Sequence, residues 1–105
     1  MLNVDPANLK VVQEILKKYV PELQVRAFGS RVTGQTKPYS DLDLTIIGQN
    51  KLDREILINL KQAFQESRLP FRVDVIDWHQ ISTEFQNIID GNYVVISNNI
   101  LSQGG

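Results

Sequence analysis

The stretch AFGSRVTGQTKPYSDLDL, Ala27 to Leu44, joins two segments that both read as strands and carries two carboxylates into the second. Upstream, Leu23, Val25 and Ala27 alternate with Gln24 and Arg26 until Gly29, the pattern of a half-buried strand over Leu23 to Phe28. Downstream, DLDLTII from Asp41 to Ile47 is denser in apolar residues and stops at Gly48, which predicts a more central strand covered on both faces. Between them, Gly29 permits a tight turn, and Ser30 is expected to cap a short helix through Thr33 or beyond. Asp41 and Asp43 are two apart in the predicted strand, so their side chains share a face.

Outward from this stretch the chain supplies helices and one more strand. Asp5 and Pro6 are an N-cap and a first helical residue, and Leu9, Val12, Ile15, Leu16 and Tyr19 form one apolar face ended by Pro21. Asp53 caps a second helix with Ile56, Leu57, Leu60 and Phe64 on its inner face, and Leu52 with Leu57 as a hydrophobic staple. After Pro70, FRVDVID from Phe71 to Asp77 alternates as a third strand. A turn over Asp77 to Ser82 and a helix over Thr83 to Asp90, closed by Gly91, follow. The segment NYVVISNNI is open between a short strand and an extended tail, and the end, about 98–105, is expected to be mobile. The order predicts an α/β (α+β) domain, a small mixed β-sheet flanked by helices, filling 1–105 as a single domain.

Composition narrows the chemistry. Net charge is −1 with Lys and Arg scattered, so direct nucleic-acid binding is not indicated. Hydrophobic residues make up 42% without a long apolar run, so no membrane span is expected. The 105 residues hold no cysteine, which excludes a thiolate metal site and a cysteine nucleophile and fits a reducing compartment. The start, MLNVDPANLK, lacks a basic then apolar leader, and the expected location is cytoplasmic.

Asp41 and Asp43 on one face would repel each other unless a cation lay between them, and oxygen ligands of this kind suit magnesium. Asp74, in the middle of the third strand, is the natural third carboxylate; if that strand lies beside the Asp41 strand, the three could hold two ions. Gly29 and Ser30 would offer amides and a hydroxyl to phosphate, with Arg31 and Lys37 adding charge from the same loop. Each signal alone is weak: a Gly-Ser is more often just a turn, and Asp74 could be a solvent-facing residue of an edge strand. Asp77 reads as a cap for the next turn, His79 as a turn or surface residue, and Trp78 as packing.

Together, GSRVTGQTKPYSDLDL and VDVID resemble the minimal nucleotidyltransferases of the polymerase-beta-like superfamily, over about Leu23 to Ile89. That pattern is Gly-Ser, roughly ten residues, Asp-x-Asp, then a third Asp on a later strand, and Gly29, Ser30, Asp41, Asp43 and Asp74 occupy its positions. Relatives with GSRARG have a second Arg where this chain has Thr33, a departure that touches no expected metal ligand. The resemblance implies two Mg2+ ions held by Asp41, Asp43 and Asp74, ATP as donor, and Gly29, Ser30 and Arg31 at the nucleotide. It also implies an antitoxin role beside a HEPN-type toxin, a ribonuclease, with AMP transferred to one of its tyrosines. Nucleotidyl transfer to RNA or to a small hydroxylated molecule is the alternative, as is an antitoxin acting by binding alone.

Overall fold

The computed structural model describes residues 2–34 and 40–97; Lys37 and the C-terminal segment expected to be mobile lie outside them. Helix α1 (Pro6–Tyr19) starts where Asp5 accepts from the Ala7 N–H at 3.0 Å and Pro6 takes the first turn. It buries Val12 and Leu16, and Lys17 and Lys18 complement its C-terminal dipole. Strand β1 (Gln24–Phe28), the short helix α2 (Ser30–Thr33), strand β2 (Leu42–Ile47), helix α3 (Arg54–Gln65) and strand β3 (Val73–Asp77) follow. A single 3-10 turn (Trp78–Gln80), helix α4 (Thr83–Asp90) and strand β4 (Val94–Val95) complete the fold.

The sheet order is β3-β2-β1-β4, with β2 parallel to β3 and antiparallel to β1, and β4 antiparallel to β1. The sheet is therefore mixed and β2 is central, as its apolar density predicts. One face carries Val25, Ala27, Leu42, Leu44, Ile46 and Val75, which pack with Val12 and Leu16 of α1 and Leu60 and Phe64 of α3 into the core. Paired residues share a face, so the opposite face carries Phe28, Asp43 and Asp74 in one row and Arg26, Thr45 and Ile76 in the next. Helix α4 covers the near part of that second face. Phe85 meets Phe28 edge-on at 5.7 Å, and Asp90 accepts from Arg26 Nη1 at 2.7 Å. The Arg26 guanidinium is also stacked on Tyr93, 4.1 Å from the ring centre.

Three expectations are corrected. Asp41 lies just before β2 rather than in it, and β3 begins at Val73 rather than Phe71, although Arg72 C=O still accepts the Leu42 N–H at 2.9 Å. Ile56 is 38% exposed, because the inward line of α3 runs through Leu57, Leu60 and Phe64 and leaves Ile56 on the flank. The open segment after Gly91 settles as β4, with Ile96 buried and its N–H given to Val25 C=O at 2.9 Å. Among the described residues no helix is long and apolar enough to cross a membrane.

Candidate functional site

The site is built where β1 ends against β2. Gly29 has φ +82° and ψ −155°, a backbone region open essentially to glycine alone. Its carbonyl accepts from both Val32 and Thr33 N–H at 3.0 Å, which closes α2 immediately after the strand. A Cβ on Gly29 would overlap Asp43 Oδ2 and stand 3.3 Å from Asp43 Cγ. The turn therefore brings bare backbone against a carboxylate, and the glycine is required twice.

Ser30 is the first residue of α2, with Gly29 as the N-cap and no side-chain cap bond, so the expected Ser30 cap is corrected. The positive φ of Gly29 starts the helix one residue earlier than a serine cap would. Thr33, at the position of the missing second Arg, is exposed and donates its hydroxyl to Ser30 C=O at 3.4 Å.

The carboxylates come together from two strands. The β2–β3 register sets Asp43 directly beside Asp74, and Asp41 precedes Asp43 by two residues. Asp43 is half-buried, whereas Asp41 and Asp74 are exposed. Burial first, then the negative charge of Asp74, then that of Asp41, push the Asp43 carboxyl from 3.8 up to about 6. A cation at this cluster would offset the repulsion from Asp74 and Asp41 and favour the ionised Asp43 despite its burial. The donor set is oxygen only, which fits magnesium. Among the described residues no three acidic or histidine side chains are gathered closely enough to ligate one ion by themselves. That is compatible with magnesium, which commonly takes one or two protein carboxylates and completes its shell with water and phosphate.

Arg31, expected at the nucleotide, is buried. It is 6% exposed; Nε donates to Ser40 C=O at 3.0 Å, Nη1 donates to Asn3 C=O at 2.9 Å, and the guanidinium lies 4.3 Å from the Phe71 ring centre. These partners come from three distant segments, and no local pattern announces them. Asp77 is the cap that the sequence predicts, accepting from His79 N–H at 3.1 Å, but it is also 1% exposed and accepts from Leu52 N–H at 2.8 Å. It therefore ties the segment leading into α3 to β3 and stands outside the carboxylate row. His79 contacts Gly48 C=O through Nε2 at 2.6 Å, a structural link.

A cleft of about 460 Å³ runs beside β3, between its outer edge and α3, lined by Lys61, Phe64, Leu69, Phe71, Arg72 and Asp74. It gives a second molecule room next to Asp74.

Comparison with known proteins places the chain in a family. The family model described as "Polymerase beta, Nucleotidyltransferase" matches residues 10–100. A Haemophilus influenzae protein named "Probable protein adenylyltransferase MntA" is 50% identical over 95 residues, 90% of this chain and 83% of that protein. Among solved structures, a toxin-antitoxin crystallised with AMP-PNP superposes with a TM-score of 0.71 at 24% identity, over 85% of this chain and 72% of the other. A chain of the complex between tri-AMPylated Shewanella oneidensis HEPN toxin and MNT antitoxin gives 0.64 at 23% identity, over 86% and 69%. At these identities the structural matches establish a shared fold.

Proposed function

The chain belongs to the polymerase beta nucleotidyltransferase family, and from that premise we propose that it is a magnesium-dependent protein adenylyltransferase. In this reading it transfers AMP from ATP to a tyrosine of a HEPN-type ribonuclease toxin in the cytoplasm and so neutralises it. The observation that carries the reading is the row in which Asp43 sits beside Asp74 with Asp41 close enough to raise its affinity for protons. The half-identical relative named as a protein adenylyltransferase supports a protein acceptor. The solved complexes of like fold that contain HEPN toxin support the kind of partner.

Asp41 and Asp43 are the residues that would hold magnesium, with Asp74 completing the set. Bound there, the metal would supply positive charge to the triphosphate and the leaving pyrophosphate. Gly29 keeps the space against Asp43 free of a side chain, and Ser30, first in α2, would offer its hydroxyl to the outer phosphates. Asp74 is exposed, lies among the residues lining the cleft, and would take the proton of the acceptor hydroxyl. The deprotonated oxygen bonds to the α-phosphorus as the bond from that phosphorus to the bridging oxygen breaks, and pyrophosphate carries away the electron pair.

The test is to incubate the chain with ATP labelled on the α-phosphate, magnesium, a HEPN partner and total RNA. Label on the partner protein supports the proposal. Label only on RNA or a small molecule replaces it with the corresponding transferase, and stable complex without label replaces it with neutralisation by binding.

A further inference from the structure

Asp41 is exposed and belongs to no strand, yet the backbone on either side of it is fastened. Ser40 C=O accepts from Arg31 Nε at 3.0 Å, and Leu42 N–H donates to Arg72 C=O at 2.9 Å. Arg31 therefore holds the upstream side of Asp41, and the β3 entry holds the downstream side. The same guanidinium lies on Phe71, the residue before Arg72, at 4.3 Å. It also donates to Asn3 C=O at 2.9 Å, while Asn3 N–H donates to Arg31 C=O at 2.7 Å. One buried side chain thus braces the arm that carries Asp41, the approach to the strand that carries Asp74, and the N-terminal segment.

We infer that Arg31 is a positioning residue that sets Asp41 for magnesium, rather than a ligand of the nucleotide. The chemistry of the side chain fits the role. Its planar fork donates in two directions at once to Ser40 and Asn3 and its flat face stacks on Phe71, whereas a lysine ammonium offers one compact charge and no stacking plane. At 6% exposure the guanidinium is buried within this frame. The inference rests on the proposed metal-dependent reaction, but its test includes measurements that need no turnover.

Arg31→Lys and Phe71→Leu separate the possibilities. In metal-free protein, amide hydrogen exchange at Asp41 and Leu42 is expected to accelerate in both variants, while exchange in the α1 core stays at the wild-type rate. With a non-hydrolysable ATP analogue, the magnesium concentration for half-maximal binding is expected to rise about tenfold in Arg31→Lys, the scale of losing support behind a metal ligand. The smaller Phe71→Leu shift runs in the same direction. At saturating magnesium, the analogue binds both variants as it binds wild type. A direct phosphate contact gives the opposite result: Arg31→Lys keeps most of the affinity, exchange at Asp41 is unchanged, and Phe71→Leu has no effect. A role in folding alone lowers the melting temperature and leaves the magnesium dependence of the folded fraction unchanged; either outcome overturns the inference. Loss of transfer to the partner in wild-type protein would remove the proposed reaction while leaving the exchange and binding results to decide the role of Arg31.

Discussion

The carboxylate of Asp43 occupies the place that a side chain on Gly29 would take, so that a single added methyl group would overlap Asp43 Oδ2. Gly29 also holds φ +82° with ψ −155°, which costs about 1–3 kcal/mol in any other residue. Gly29→Ala is therefore expected to lower stability by about that amount and to displace Asp43 from its row. Thermal melts and magnesium-dependent ATP binding should both fall; wild-type binding in a folded Gly29→Ala protein would show that the close approach is not needed.

Asp43 predicts a pH dependence for the metal-free protein. Its folded-state pKa, about 6, lies above the ordinary 3.8, so the folded state binds more protons between those values. Stability from this group is full below about pH 4 and is lost as pH rises through about 6. Asp43→Asn should then raise the melting temperature at pH 7.5, with the gain vanishing near pH 4. Magnesium should bind more weakly to wild type below about pH 6, where the proton competes for the carboxylate. A melting temperature for Asp43→Asn below wild type at pH 7.5 would contradict this electrostatic picture.

Asp74→Asn keeps the size of the side chain but removes the proton acceptor at the cleft. It is expected to retain most ATP binding and to reduce AMP transfer by at least about a hundredfold, the usual contribution of a positioned base. Calorimetry with an ATP analogue and a transfer assay on the same sample separate the two. Equal loss of binding and transfer would place Asp74 among the groups that hold the nucleotide.

Thr45 is fully buried on β2, two residues from Asp43, and among the described residues its hydroxyl has no hydrogen-bond partner. Burying an unpaired hydroxyl is costly, so Thr45→Val is expected to stabilise by about 1 kcal/mol, or roughly 4–8 °C in a domain of this size. A melting temperature below wild type would mean that the hydroxyl does have a partner in solution.

The fold was legible because its signals are local: Asp5 and Asp53 cap their helices, Pro21 and Pro70 interrupt the chain, and the density of DLDLTII marks the central strand. The meeting of Asp43 and Asp74 was legible only conditionally. The spacing of the carboxylates is in the sequence, but the parallel pairing of β2 with β3 requires the crossover through α3, which packs Leu60 and Phe64 onto the core face of the sheet. Arg31 shows where such reading stops. A charged residue next to Gly29 and Ser30 reads as a phosphate contact, whereas its burial depends on Asn3, Ser40 and Phe71, which meet it only in the folded chain. The position of Ser30 turned on one dihedral angle of Gly29, which the residue type permits but does not specify.

The most direct measurement is the intact mass of a HEPN partner after incubation with ATP, magnesium and either the wild-type chain or the double variant Asp41→Asn, Asp43→Asn. Protein adenylylation predicts one or more adenylyl increments on a partner tyrosine with the wild-type chain and none with the variant. An unmodified partner in both samples, or equal modification in both, would contradict the assignment of the Asp41, Asp43 and Asp74 cluster as an adenylyltransferase site.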